Sequence, residues 1–227
     1  MAGEDLTEAR VTFSGILGDR VYAFIDTENK SDFPWMTGRQ GHEMILLRPR
    51  WLDGFSAHDE IPGAEQYAIE VTTPEGEKFR VGDDRLTEYI ERRFRHSVRL
   101  RFSERSMTDS RPVSILGLST LRAISGEAGM ELDVRRFREN FYIEWADSRP
   151  FFEDQLIGTE LQVGEKVMLQ IVKKNARCVM INLDPDTAKT SPQIFERVSR
   201  GHDGCAGVYG AVLREGIVHA SDPIYAI

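Results

Sequence analysis

At 227 residues, with 41% apolar and 29% charged residues, the chain has an ordinary globular composition. It is long enough to bury an interior as one large domain or two small ones sharing a core. A formal net charge of −8 argues against a general nucleic-acid binder, which is normally basic. No apolar stretch approaches the roughly 20 residues of a helical membrane span, and Met1-Ala2-Gly3-Glu4-Asp5 lacks the basic and apolar regions of a secretory signal. Two cysteines make no disulfide framework, so a reducing cytoplasm is the expected compartment.

In chain order, residues 9–26 read as two strands about a turn: Val11 and Phe13 alternate with polar neighbours, Gly15 to Gly18 breaks the pattern, and Val21 to Ile25 is a near-continuous apolar strand. Asp19 and Arg20 stand at that strand's mouth. Thr37-Gly38-Arg39-Gln40 precedes a short expected strand, Met44 to Leu47; Arg39 is either a phosphate contact or a solvated arginine. Trp51 to Gln66 lacks periodicity and reads as a long loop. A hairpin follows, Tyr67–Val71 with Lys78–Val81. Asp83 or Asp84 then caps a helix with the stripe Leu86, Tyr89, Ile90 and Phe94. The arginines from Arg92 to Arg101 fit helix-end charge followed by an alternating strand.

Asp109, Ser110 and Arg111 form either an oxyanion site beside free backbone N–H groups or a plain loop. The apolar segment Val113 to Leu118 leads to Ser119, which is expected to cap a helix ending near Gly126. Asp133 caps a short turn, and Arg138 and Asn140 open a strand from Phe141 to Trp145. Leu161 to Ile171 alternates as a hairpin, Ser191-Pro192 starts a helix with Ile194, Phe195 and Val198 inside, and Tyr209–Leu213 and Ile224–Ile227 supply the last strands. The histidines are not at metal-ligand spacing with the cysteines, which argues against zinc.

The stretch from Lys174 to Thr187 concentrates the chemistry. Cys178 heads an apolar run, Val179 to Leu183, closed by the turn Asp184-Pro185-Asp186-Thr187, with an aspartate acceptor and Pro185 at preset φ. Read as a strand, Val179, Ile181 and Leu183 face the core, while Cys178, Met180 and Asn182 face a cavity. Cys178 is then either a buried structural thiol or a thiolate that binds a soft metal or carries sulfur. On a regular strand Arg177 points away from it.

Arg177-Cys178 followed by Asp184-Pro185-Asp186-Thr187 resembles the MOSC family, named for the C-terminal domain of molybdenum cofactor sulfurase, which includes the mitochondrial amidoxime-reducing component and its bacterial relatives. Five stretches match in the same order: Gly15 to Arg20, Thr37 to Gln40, Arg136 to Asn140, Phe152 to Gly158 and Gly207-Val208-Tyr209. The resemblance implies a mainly β fold with short helices (α+β), a MOSC-type β-barrel over residues 83–227 with an N-terminal β subdomain over 1–82. It implies a molybdenum-molybdopterin cofactor with Cys178 as catalytic metal ligand, and Arg20, Ser110, Arg138, Asn140, Arg177 and Tyr209 on its phosphate and pterin. At family level it also implies pyridoxal phosphate binding. The implied activity is reduction of N-hydroxylated or similar small substrates. An electron-donating redox protein is the implied partner, because the sequence lacks a flavin or nicotinamide fingerprint. Persulfide carriage by Cys178 and a binding module without turnover are the alternatives.

Two departures from the family pattern bear on the site. Glu139 stands where relatives carry proline, beside the implied anion contacts. Relatives also begin with a Pro-x-Lys-Ser strand, and this chain starts just downstream of that point. The expectation is an open sheet edge at the strand around Val11 to Phe13, or at whichever strand neighbours the gap, and a weaker phosphate grip.

Overall fold

The computed structural model describes residues 1–52, 57 and 68–227. The fold is mainly β, with three α-helices among the described residues. Its main sheet has the strand order β14-β10-β11-β12-β8-β9. These strands are β8 (Val113–Gly117), β9 (Phe141–Ile143), β10 (Glu160–Val163), β11 (Val167–Ala176), β12 (Cys205–Arg214) and β14 (Ile224–Ala226). All pairings in it are antiparallel except β8 with β9. Register shifts between β11 and β12 at Met168/Leu169, Ile171/Lys173 and Lys174/Ala176 add local twist, and the sheet curls into a half-barrel.

All five residues of β8 are buried, as expected for a strand with a crossover packed over it. That crossover is α2 (Leu118–Ala128), which begins where β8 ends. Ser119 does not cap it: the Ser119 hydroxyl donates to Arg149 O at 3.3 Å. Gly117 is the N-cap residue, and its N–H donates to the buried carboxylate of Glu153 at 3.1 Å. The helix runs past Gly126 to a left-handed Gly129 (φ 68°).

Apolar burial sorts the chain into cores. Val11, Val113, Ile115, Leu169, Ile171 and Val208 belong to one core built on the main sheet. A second core joins α1 (Asp84–Phe94), the β3–β7 pair (Tyr22–Asp26 with Val98–Phe102) and the three-stranded sheet of β4 (Arg48–Trp51), β5 (Ile69–Thr72) and β6 (Lys78–Arg80). The 82/83 boundary therefore falls between β6 and α1, which share one core. A third core seats α3 (Gln193–Gly201) against α2 through Ile124, Phe137, Ile181 and Ile194.

Several local expectations change. Strand β1 (Glu8–Thr12) pairs with β13 (Gly216–His219) on one side and turns back on β2 (Gly15–Ile16) on the other. It does not pair with β3, and Val11 sits in the middle of that small sheet rather than at an open edge. His42–Leu46 is a 3-10 helix, not a strand, and β4 follows it. Tyr67 and most of the expected loop from residue 51 to 66 lie outside the described residues.

The largest change is at the cysteine. Strand β11 ends at Ala176, Cys178 is extended, and Val179–Asn182 is a 3-10 turn rather than a strand. Tertiary partners take the polar groups a strand ladder would use. Asn182 O accepts from Arg136 and from Ser191 N–H, and the Asn182 side chain accepts from Phe195 N–H. Val179 is consequently half exposed, while Ile181 and Leu183 are buried.

Candidate anion and thiol site

The site is built around the turn that carries Arg135, Arg136 and Arg138. Asp133 accepts from Arg135 N–H at 2.8 Å and so starts a short 3-10 turn, Val134–Arg136. The buried Arg136 donates to Asn182 O at 2.9 Å and to Asp184 Oδ2 at 2.9 Å. Arg135 bridges Asp133 and Asp186. Asp184 also accepts from Asp186 N–H, Thr187 N–H and the Thr187 hydroxyl, so the Asp-Pro-Asp-Thr turn forms as its residues dictate. Hydrogen bonds hold the Asp133, Asp184 and Asp186 carboxyls below their usual range: to Arg135 for Asp133 and Asp186, and to Thr187 and neighbouring N–H groups, against burial, for Asp184.

Two residues on, the chain behaves differently. Arg138 adopts a left-handed backbone (φ 58°), as does Arg20 (φ 54°), a conformation that costs most non-glycine residues energy. The two arginines lie 118 positions apart in sequence, yet Arg20 Nη2 donates to Arg138 O at 3.1 Å. Arg138 Nη1 donates to Met1 O at 3.0 Å. Among the described residues Arg138 makes no ion pair, whereas Arg20 is paired with Asp19 at 3.2 Å. Burial pushes the Arg138 guanidinium down and Arg20 adds to the shift. The Met1 amino group is pushed down to about 4 by burial, then by Arg138 and Arg20. This corner brings together two guanidinium groups, one of which has no ion-pair partner among the described residues. It opens to a pocket lined by Arg138, Arg136, Met180, Pro185, Ile45 and Gly3, among others.

Asn140 fixes the floor beside it. Its side-chain oxygen accepts from Ser114 N–H at 3.0 Å, and its amide donates to Asp19 at 3.1 Å. Asn140 therefore orients Asp19, which in turn holds Arg20. Ser110 is exposed on the neighbouring loop.

At Cys178 the partner is Arg39, not the adjacent Arg177. Burial lowers the Arg39 pKa, but hydrogen bonding and charge interaction with Cys178, then Asp109, outweigh it, so the guanidinium lies above its usual value. Arg39 also stacks on Phe33 at 4.6 Å and approaches Asp109 at 3.9 Å. Gly38 lets this segment close on the cysteine turn: a Cβ there would stand 2.7 Å from Met180 Cε and 3.1 Å from Leu183 Cδ1. The Thr37-Gly38-Arg39-Gln40 stretch carried this signal in the sequence, but only the fold brings Arg39 to the thiol. Cys178 and Cys205 are both free thiols.

Arg177 turns the other way, onto Glu139 and Phe137 O. Tyr209 is half-buried on β12. Burial raises its pKa, followed by Glu139 and opposed by Arg177, and Asp109 and Arg20 act on it too. Asp109 acts as well on Arg39 and Arg138. Arg20, Arg39, Arg138 and Tyr209 thus share one electrostatic neighbourhood.

The sequence profile of the MOSC domain matches residues 103–225, more than half of the chain, and the protein belongs to the MOSC family. The matched region holds Cys178, Arg138, Asn140, Arg177 and Tyr209; Arg20 and Arg39 come from the segment before it. Similar solved structures include YiiM from Geobacillus stearothermophilus (16% identity, 52% of this chain and 54% of that one, TM-score 0.40). The YuaD protein of Bacillus subtilis is similar over 97% of this chain and 85% of its own, at 14% identity and TM-score 0.49. YiiM from Escherichia coli is 17% identical over 52% of this chain and 55% of its own, at TM-score 0.35. The chain spans about half the length of the two YiiM proteins it matches. No curated protein sequence matches it. Among the described residues no helix is long and apolar enough to cross a membrane.

Proposed function

We propose that this MOSC protein binds an anionic pterin cofactor carrying molybdenum. In this reading Arg20 and Arg138 grip its phosphate, Cys178 ligates the metal, and the protein is an oxidoreductase acting on N-hydroxylated or similar small substrates. The observation that carries the proposal is Arg138: a partly buried guanidinium, in a strained backbone, with a second arginine beside it and, among the described residues, no ion pair. Such a group is costly unless an anion completes it.

The donor set fits this cofactor. Among the described residues no cluster of three or more His, Cys, Asp or Glu is arranged to hold a metal, so the chain offers one soft thiol rather than a cage. That suits a metal whose other ligands come with its own organic carrier. When bound, the cofactor supplies two-electron redox chemistry. Arg39 places a guanidinium beside the Cys178 sulfur, the atom that would bind the metal. Arg138 and Arg20 supply charged N–H donors to a phosphate through the hydrogens their existing bonds leave over. Asn140 and Asp19 hold Arg20 in position. Electrons come from a partner redox protein, because the chain has no cofactor fingerprint for supplying them.

A second reading, persulfide carriage, draws on the same thiol, since Cys178 is partly exposed beside Arg39. Metal and sulfane-sulfur analysis of protein made in cells that synthesise the cofactor separates the two. About one molybdenum per chain, lost in Cys178→Ala but retained in Cys205→Ala, is the result expected. Sulfane sulfur on Cys178 without metal favours the second reading.

A further inference from the structure

Glu139 and Arg177 form the most buried ion pair among the described residues, with side chains 1% and 8% exposed. Arg177 donates through Nη1 to Glu139 and through Nη2 to Phe137 O. Asn175 Nδ2 donates to the same Glu139 oxygen at 2.8 Å. The pair is nevertheless incomplete: Glu139 Oε2 and Arg177 Nε are buried without partners. Burying two charges this way rarely gains stability over apolar side chains of similar size, so packing alone is a poor reason for it.

Its position suggests another reason. Glu139 lies between Arg138 and Asn140, whose amide holds Asp19, and Arg177 Nη2 holds the carbonyl of Phe137, the residue before Arg138. The pair therefore borders the anion site while removing one guanidinium from it. Gly207 keeps the clamp closed: a Cβ there would stand 3.3 Å from Glu139 Oε1 and 2.4 Å from Ile115 O.

We infer that Glu139 is a specificity-determining residue, which holds Arg177 out of the anion site and matches that site to a single phosphate monoester rather than a diphosphate. The inference rests on the anion-site reading above. Arg20 and Arg138 remain to face the ligand, with Arg20 partly offset by Asp19 and Arg39 engaged with Cys178. A phosphate monoester carries about two negative charges at neutral pH, close to what Arg138 and the partly offset Arg20 can meet. A diphosphate carries more, and would call on the third.

Calorimetric titration of the full chain with inorganic phosphate and with pyrophosphate tests this. Glu139→Gln should tighten pyrophosphate binding about tenfold and leave phosphate nearly unchanged; adding Arg177→Met should erase the gain. Should Glu139→Gln fail to fold, Glu139→Met/Arg177→Met replaces the pair with apolar groups, and its phosphate affinity should equal the wild type's. No pyrophosphate gain in a folded Glu139→Gln protein, or a tenfold loss of phosphate affinity in the double methionine variant, overturns the inference. Undiminished phosphate binding by Arg138→Ala would instead overturn the anion-site reading beneath it.

Discussion

The two ends of the Arg135–Arg138 turn treat their arginines in opposite ways. At one end Arg136 is buried and tied to Asp184 and Asn182 O, with Arg135 bridging Asp133 and Asp186. At the other end Arg138, among the described residues, hydrogen-bonds through its side chain to a main-chain oxygen and makes no ion pair, and Arg20 donates to its carbonyl. Both ends use the same residue type within three positions, so composition does not separate them. The completeness of the charge pairing does. A compensated guanidinium is a staple that joins two turns, and an uncompensated one is the feature that the proposed anion would complete.

The largest effect should come from breaking the staple. Arg136→Ala leaves Asp184 and Asn182 O short of a partner and should cost roughly 3–5 kcal/mol, read as a lower midpoint in urea unfolding. Arg138→Ala should leave that midpoint close to wild type while phosphate affinity falls about tenfold or more, the loss of a charge-assisted hydrogen bond. Arg20→Ala should behave like Arg138→Ala. If Arg136 and Arg138 variants lose stability alike, the contrast between the two ends fails.

Much of this fold was legible before the structure because local chemistry decides it. Asp83 caps α1, and the stripe Leu86, Tyr89 and Ile90 is its buried face. The Asp-Pro-Asp-Thr turn closes on its own aspartate. Convergence of Arg20 with Arg138 followed from the family resemblance, not from periodicity. What stayed hidden depends on distant partners. Val179 to Leu183 has the alternation of a strand, but Arg136, Ser191 and Phe195 claim the polar groups of Asn182, so the segment turns. Arg39 lies 139 positions before Cys178 in the chain, and no spacing rule links them. Arg177, adjacent to the cysteine, is committed to Glu139 by a contact across 38 positions.

A second break concerns the packing that shapes the site. Gly207 has φ 78°, and a Cβ would meet Ile115 O at 2.4 Å. Gly207→Ala should cost about 1–3 kcal/mol, and the same denaturation series measures it. A milder change sharpens the thiol side of the comparison. Arg39→Ala removes the cation beside Cys178 and its attraction for an anionic reagent, so alkylation of Cys178 by iodoacetate at neutral pH should slow several-fold, with Cys205 as the internal control. Equal rates in the two proteins would remove Arg39 from the thiol site.

The smallest expected effect is on pH dependence. The folded-state pKa values of Asp133, Asp184 and Asp186 lie below their usual 3.8, so these groups stabilise the fold above that value and cease to do so as pH falls through their folded values. Exposure limits the contribution of Asp133 and Asp186 to about 1 kcal/mol or less each. Glu139 has the opposite sign. Burial raises its pKa against the pull of Arg177, so its contribution is fully present below the usual 4.5 and declines as pH rises through the folded value. A pH series of the unfolding midpoint should show the acid-side loss in wild type, and Asp186→Asn should reduce it.

In the proposed function, an anionic pterin cofactor completes Arg138. The most direct test is pterin occupancy, read from the fluorescence of oxidised pterin released from wild type, Arg138→Ala and Arg136→Ala proteins made in cells that synthesise the cofactor. The account predicts a loaded wild type and an Arg138→Ala protein that is folded, equally stable and largely empty. An Arg138→Ala protein as fully loaded as wild type, or a wild type without pterin, would contradict it.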